Sequence, residues 1–133
     1  MAEYKYGPHT FRTGTDGICS ISLVGVFEAP EAREFVKEML RYQESHPASA
    51  LLVLLAHGKS VAPDARKVII GGVREKPYGV CFVQASFAMR ALVGLMLNAI
   101  RLLGEPLPHA FVDTEEQGRA WAKGMLAEWK PRR

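Results

Sequence analysis

The chain has 133 residues, 48% hydrophobic and 23% charged, with a formal net charge of +3 at pH 7. That length suits one domain that buries roughly two-thirds of its unfolded surface, with the composition of an ordinary soluble globular protein. The small charge, carried by scattered basic residues, argues against nucleic acid as a partner, and no run reaches the roughly 18 apolar residues of a membrane span.

Residues Met1-Ala2-Glu3-Tyr4-Lys5 lack the basic-then-apolar layout of a signal peptide. Around Thr10 to Arg12 the chain alternates weakly, and Thr13-Gly14-Thr15-Asp16-Gly17 supplies glycines suited to a hairpin loop. Ile18-Cys19-Ser20-Ile21-Ser22-Leu23-Val24 then predicts the second strand. Pro30 suits the first turn of a helix, where its missing N–H costs nothing. Behind it Ala32, Phe35, Val36, Met39 and Leu40 form one apolar stripe, ending near His46-Pro47.

Ala50-Leu51-Leu52-Val53-Leu54-Leu55-Ala56 is seven residues without a polar side-chain atom. So short a run predicts a buried parallel strand, delivering the polar stretch His57-Gly58-Lys59-Ser60 as a loop at its carboxyl end. In open α/β sheets that edge is where ligands and partners dock. Ala65, Val68, Ile69, Gly72 and Val73 form the stripe of a second helix, with Arg66, Lys67 and Arg74 outward and Pro77 and Gly79 stopping it.

Val80-Cys81-Phe82-Val83 is the next buried strand, and Ser86 caps a third helix that runs to Leu103 before Gly104 and Pro106. Ala110-Phe111-Val112 is a last short strand. Thr114-Glu115-Glu116-Gln117 has the form of a capping box, opening a fourth helix with Ala120, Trp121, Gly124 and Met125 inward and Pro131 closing it. The order ββαβαβαβα predicts a mostly parallel sheet of about five strands, an antiparallel hairpin at its amino-terminal edge, and right-handed crossovers.

This order resembles the STAS domains typified by anti-sigma-factor antagonists, and more closely their SpoIIAA-like branch. The resemblance rests on the hairpin around Asp16-Gly17, on Val61-Ala62-Pro63-Asp64-Ala65-Arg66, and on Phe111-Val112-Asp113-Thr114-Glu115-Glu116 leading to Ala120-Trp121. It implies one STAS-like domain over residues 1–133: a non-enzymatic module acting through a protein partner. In the antagonists a serine at the start of the second helix is phosphorylated. Here the matching stretch is Ala62-Pro63-Asp64-Ala65, which carries no hydroxyl, so that switch does not transfer. The same broad fold includes lipid-transfer domains with apolar cavities, an analogy of fold only.

Gly58-Lys59-Ser60 has the lettering of a phosphate loop, but Val53 stands where the first glycine is needed. His57 and Ser60 suggest a base and a nucleophile, with Asp64 near in sequence, yet catalysis needs an oriented triad that spacing alone does not supply. We assign no catalytic residue, and treat His57, Lys59, Ser60 and Asp64 as candidate ligand- or partner-binding residues. An anion would be favoured at the helix amino terminus beside Lys59. His9, His46, His57 and His109 are scattered, and none pairs with cysteine at zinc-site spacing, so no metal or other cofactor is expected. Cys19 and Cys81, each inside an expected strand, form no disulfide framework, and a bacterial-type cytoplasm is the expected setting.

The third helix is apolar around nearly its whole circumference, broken only by Arg90, Asn98 and Arg101. A helix on one side of a sheet needs an apolar stripe, not a full circle. Met89, Leu92, Val93, Met96 and Ile100 are therefore assigned to a self-association surface or to an apolar pocket. We expect a homo-oligomer, a dimer, through this helix. Trp121 is expected in the core and Trp129 partly exposed near the basic tail. A regulatory or scaffolding protein-binding module ranks first. A carrier for a small apolar or amphipathic ligand, held between the second and third helices and the sheet, ranks second, and an enzyme last.

Overall fold

A computed structural model describes residues 2–72, 79–104 and 107–129. Ten elements follow in order: β1 (Ala2–Tyr6), β2 (His9–Thr13), β3 (Ile18–Phe27), α1 (Ala29–Ser45), β4 (Ala50–Val61), α2 (Pro63–Gly72), β5 (Gly79–Val83), α3 (Phe87–Leu103), β6 (His109–Val112) and α4 (Glu115–Ala127). The strands form one sheet in sequential order; β1, β2 and β3 pair antiparallel, and β3 to β6 pair parallel.

The mixed sheet and its four helices match the expected architecture, with six strands rather than five. The additional strand is β1, which turns back on β2 through Gly7 at φ +61° and pairs Tyr4 with Phe11. Its Ala-Glu-Tyr-Lys-Tyr sequence alternates as a one-face-buried strand does, and a 2.7 Å ion pair from Glu3 to Arg12 Nε ties the pair on its open side. Of the expected loop Thr13–Gly17, Thr13 is the last residue of β2 and the rest joins β2 to β3, with Gly17 at φ +87°.

Parallel strands in sequential order with right-handed crossovers place their connecting helices on one face. Accordingly Ile21, Leu51, Val53 and Phe82 pack with Phe35, Met39, Met89 and Val93 from α1 and α3 in one core, joined by Ala65 of α2. Helix α4 covers the other face, where Ile18, Leu52 and Cys81 meet Ala122 and Trp121. Odd and even residues of β4 thus enter different cores, which is why its sequence shows no alternation.

Helix α1 buries Ala32, Phe35, Met39 and Tyr42, and a capping box between Glu28 and Glu31 opens it. Ser86 Oγ accepts the N–H of Met89 at 3.2 Å to start α3, and Thr114 with Gln117 forms the capping box of α4. The inward face of α4 differs from the expected one: Gly118 and Ala122 are buried with Trp121 and Met125 partly so, whereas Ala120 and Gly124 are exposed. Trp121 sets that rotation, because its ring lies over Gly79, where a Cβ would stand 2.8 Å from Cη2. Val73, Arg74, Pro77, Pro106 and Pro131 lie outside the described residues.

Candidate functional site

The polar stretch after the apolar run is not a loop. Strand β4 continues through His57, Gly58, Lys59 and Ser60 to Val61, pairing Val24 with His57, Gly25 with Gly58, Val26 with Ser60 and Phe27 with Val61. β3 continues as far as Phe27, so the backbone of the polar stretch finds ladder partners and stays extended. Twice β4 advances one residue more than β3, between Ser22 and Val24 and between Gly25 and Val26. Such bulges bend a strand and re-aim its side chains, and Gly25 at φ +70° takes a conformation other residues resist.

His57 and Lys59 are exposed on this extension, Ser60 is half-buried, and Asp64 is exposed in the first turn of α2. Among the described residues no side-chain hydrogen bond or ion pair joins any two of the four. Nor does Ser60 cap α2, which opens on Pro63 with the N–H of Arg66 bonded to the carbonyl of Ala62 at 2.9 Å. The Ala62-Pro63-Asp64-Ala65 stretch therefore sits at the helix start without a hydroxyl in that turn. Among the described residues, no three His, Cys, Asp or Glu side chains gather as a metal site would require.

A second feature lies inside the molecule. Between the sheet and α1, α2 and α3 is a cavity of about 100 Å³. Met89, Val93, Met96 and Ile100 of α3 line it, together with Phe35 and Met39 of α1, Ile69 of α2 and Val53 and Phe82 of the sheet. Leu92 packs beside the same core without reaching the cavity. Among the described residues one lining side chain is polar: Gln43, whose Nε2 is buried and has no hydrogen-bond partner. The sequence carried a signal for it. Gln43 stands three and four residues beyond Leu40 and Met39, so it continues the apolar stripe of α1 with an amide. Helix α1 runs antiparallel to its flanking parallel strands, which places Gln43 at their amino ends, opposite His57–Ser60.

The third feature is the outer side of α3. Phe87, Leu95, Leu102 and Leu103 are 88%, 70%, 73% and 54% exposed. Arg90 leaves this face to stack its guanidinium 5.0 Å from the Phe111 ring centroid. The two apolar sides of α3 therefore use different residues: one set faces the cavity and another faces outward.

No family model matches the chain, and no curated protein matches it. Solved structures do. The unphosphorylated anti-sigma factor antagonist SpoIIAA superposes with a TM-score of 0.63 at 13% identity, over 87% of this chain and 98% of that one. A putative anti-sigma factor antagonist from Thermotoga maritima gives 0.60 at 12% identity, over 85% and 92%. An uncharacterised protein with a SpoIIAA-like fold from Shewanella loihica gives 0.60 at 12% identity, over 92% and 98%. With so little identity and such complete coverage, what these proteins share with this chain is an arrangement of elements: the chain has the SpoIIAA-like fold.

Proposed function

We propose that the chain, acting as one STAS-like unit in a bacterial cytoplasm, is a regulatory or scaffolding module that works by binding protein, without catalysis. The observation that carries this reading is the exposed apolar side of α3, because large side chains such as Phe87, Leu95 and Leu102 gain by leaving water. The fold supports it, since two of the structures that share it are described as anti-sigma factor antagonists. The first partner is a second copy of this chain, docked α3 against α3 as a dimer. No helix among the described residues is long and apolar enough to cross a membrane.

Partner binding here is not switched by phosphoserine at the start of α2, where Ala62, Pro63, Asp64 and Ala65 stand. Along the carboxyl edge, His57, Lys59, Ser60 and Asp64 remain the residues for a polar contact with a partner. A second reading, favoured by the cavity under α3, is a carrier or sensor for a small apolar or amphipathic molecule.

Native mass spectrometry of the protein purified from its own host tests these readings together. A dimer without added phosphate, converted to monomer by Leu95→Glu with Leu102→Glu, is the expected result. A native chain that stays monomeric at high concentration overturns the α3 dimer. Retained mass of a few hundred daltons or less, lost on denaturation, supports the carrier reading.

A further inference from the structure

We propose that the cavity beneath α3 is a binding site for a small neutral amphipath, and that Gln43 determines its specificity. The ligand is a compact ring or short branched chain bearing one hydroxyl or carbonyl group. This rests on the carrier reading and names its ligand class.

Three observations define that class. The first is size: a dry cavity of about 150 Å³ accepts benzene, so about 100 Å³ suits a group of that order or slightly smaller, not a long acyl chain. The second is the lining, which among the described residues contains no Lys, Arg, His, Asp or Glu. Among these residues an ionised headgroup would find no countercharge for the water it loses, which favours a neutral ligand over carboxylates and ammonium groups. The third is Gln43. A buried amide N–H₂ without a partner costs free energy, and interiors leave few such groups unsatisfied. A turn of the side chain that brings Nε2 to the cavity would let a ligand oxygen remove that cost, and the opposite turn of the amide would present its carbonyl to a hydroxyl instead. Gln43 thus separates molecules of one shape by whether they carry a polar atom.

Phenol and toluene have nearly one shape and differ in the group that Gln43 would read. Three of the five methionines line the cavity, Met39, Met89 and Met96, while Met125 lies on α4 beyond the sheet. In protein labelled with ¹³C at the methionine methyls, phenol should shift Met39, Met89 and Met96 saturably and leave Met125 in place. Benzoate should move none of them. The phenol-to-toluene affinity ratio should fall about tenfold in Gln43→Leu, the worth of one buried hydrogen bond. Should that variant not fold, the side-chain amide resonance of Gln43 in the native protein should respond to phenol and not to toluene. If both probes bind and neither the ratio nor the amide resonance distinguishes them, the role of Gln43 is overturned while the carrier reading stands. If neither probe moves the three methyls, both fall.

Discussion

His9 Nε2 lies 3.1 Å from Glu31 Oε1, and through this contact the amino-terminal hairpin holds the carboxylate that opens α1. The same Glu31 oxygen accepts the N–H of Glu28 at 3.0 Å to close the capping box. On the other side of the ring, Nδ1 accepts the backbone N–H of Val24 at 3.1 Å, so the ring proton resides on Nε2 and is donated to Glu31. His9 is fully buried, with its ring edge against Phe27 at 4.9 Å between centroids. His9→Ala should therefore cost about 3 kcal/mol, combining a cavity with an unsatisfied amide at Val24. Urea unfolding measures it. Glu31→Gln retains an acceptor and should cost less than half as much.

Tyr42 predicts an alkaline transition. Its hydroxyl donates to the carbonyl of Gly14 at 2.5 Å, and burial, with the negative charge of Asp16 nearby, pushes its pKa up from the ordinary 10 to about 12. The folded state thus favours the neutral phenol. Its contribution is complete below pH 10 and is lost as pH rises through about 12. Absorbance of tyrosinate near 295 nm should show a late-titrating group that disappears in Tyr42→Phe, and that variant should lose less stability than the native chain over the same range.

Both cysteines should be inert until the chain opens. Cys19 Sγ lies 3.6 Å from Met39 Sδ, and burial pushes its thiol pKa up; burial raises that of Cys81 as well. Because the thiolate is the reactive form, iodoacetamide should label neither in the native state and both in urea. Rapid labelling of Cys81 without unfolding would contradict the packing of α4 on β5.

Two glycines should respond in opposite directions to alanine. At Gly79 a Cβ would press on Trp121 at 2.8 Å, so Gly79→Ala should destabilise by about 1–3 kcal/mol and change tryptophan emission. At Gly94, exposed inside α3, nothing lies within 4 Å of where a Cβ would stand, and Gly94→Ala should stabilise by up to about 1 kcal/mol. Thermal unfolding distinguishes the two.

The extension of β4 is tested by a contrast within one strand. Leu55 is buried and His57 and Lys59 are exposed. Leu55→Ala should cost about 2–5 kcal/mol, whereas His57→Ala and Lys59→Ala should each stay within about 0.5 kcal/mol. A large loss at Lys59 would place its side chain in a contact that is absent among the described residues.

The amino-acid sequence by itself determined the alternation of strands and helices, because apolar period, proline placement and capping residues act locally. Ser86 and Thr114 start their helices as their spacing predicts, and the stripe from Ala32 to Leu40 is the face that α1 buries. What only the tertiary structure decided depends on partners distant in the chain. His57–Ser60 is strand rather than loop because β3 extends to Phe27 and supplies its hydrogen bonds. Helix α4 turns Ala120 outward because Trp121 must rest on Gly79, which lies far back in the chain at the start of β5. The apolar circumference of α3 was legible, but its division was not. Met89, Val93, Met96 and Ile100 face the cavity while Phe87, Leu95 and Leu102 face outward, since that split follows from where α3 lies against the sheet. Gln43 was visible as an amide on an apolar stripe, and acquired meaning only when three helices and a sheet closed around it and left its nitrogen without a partner.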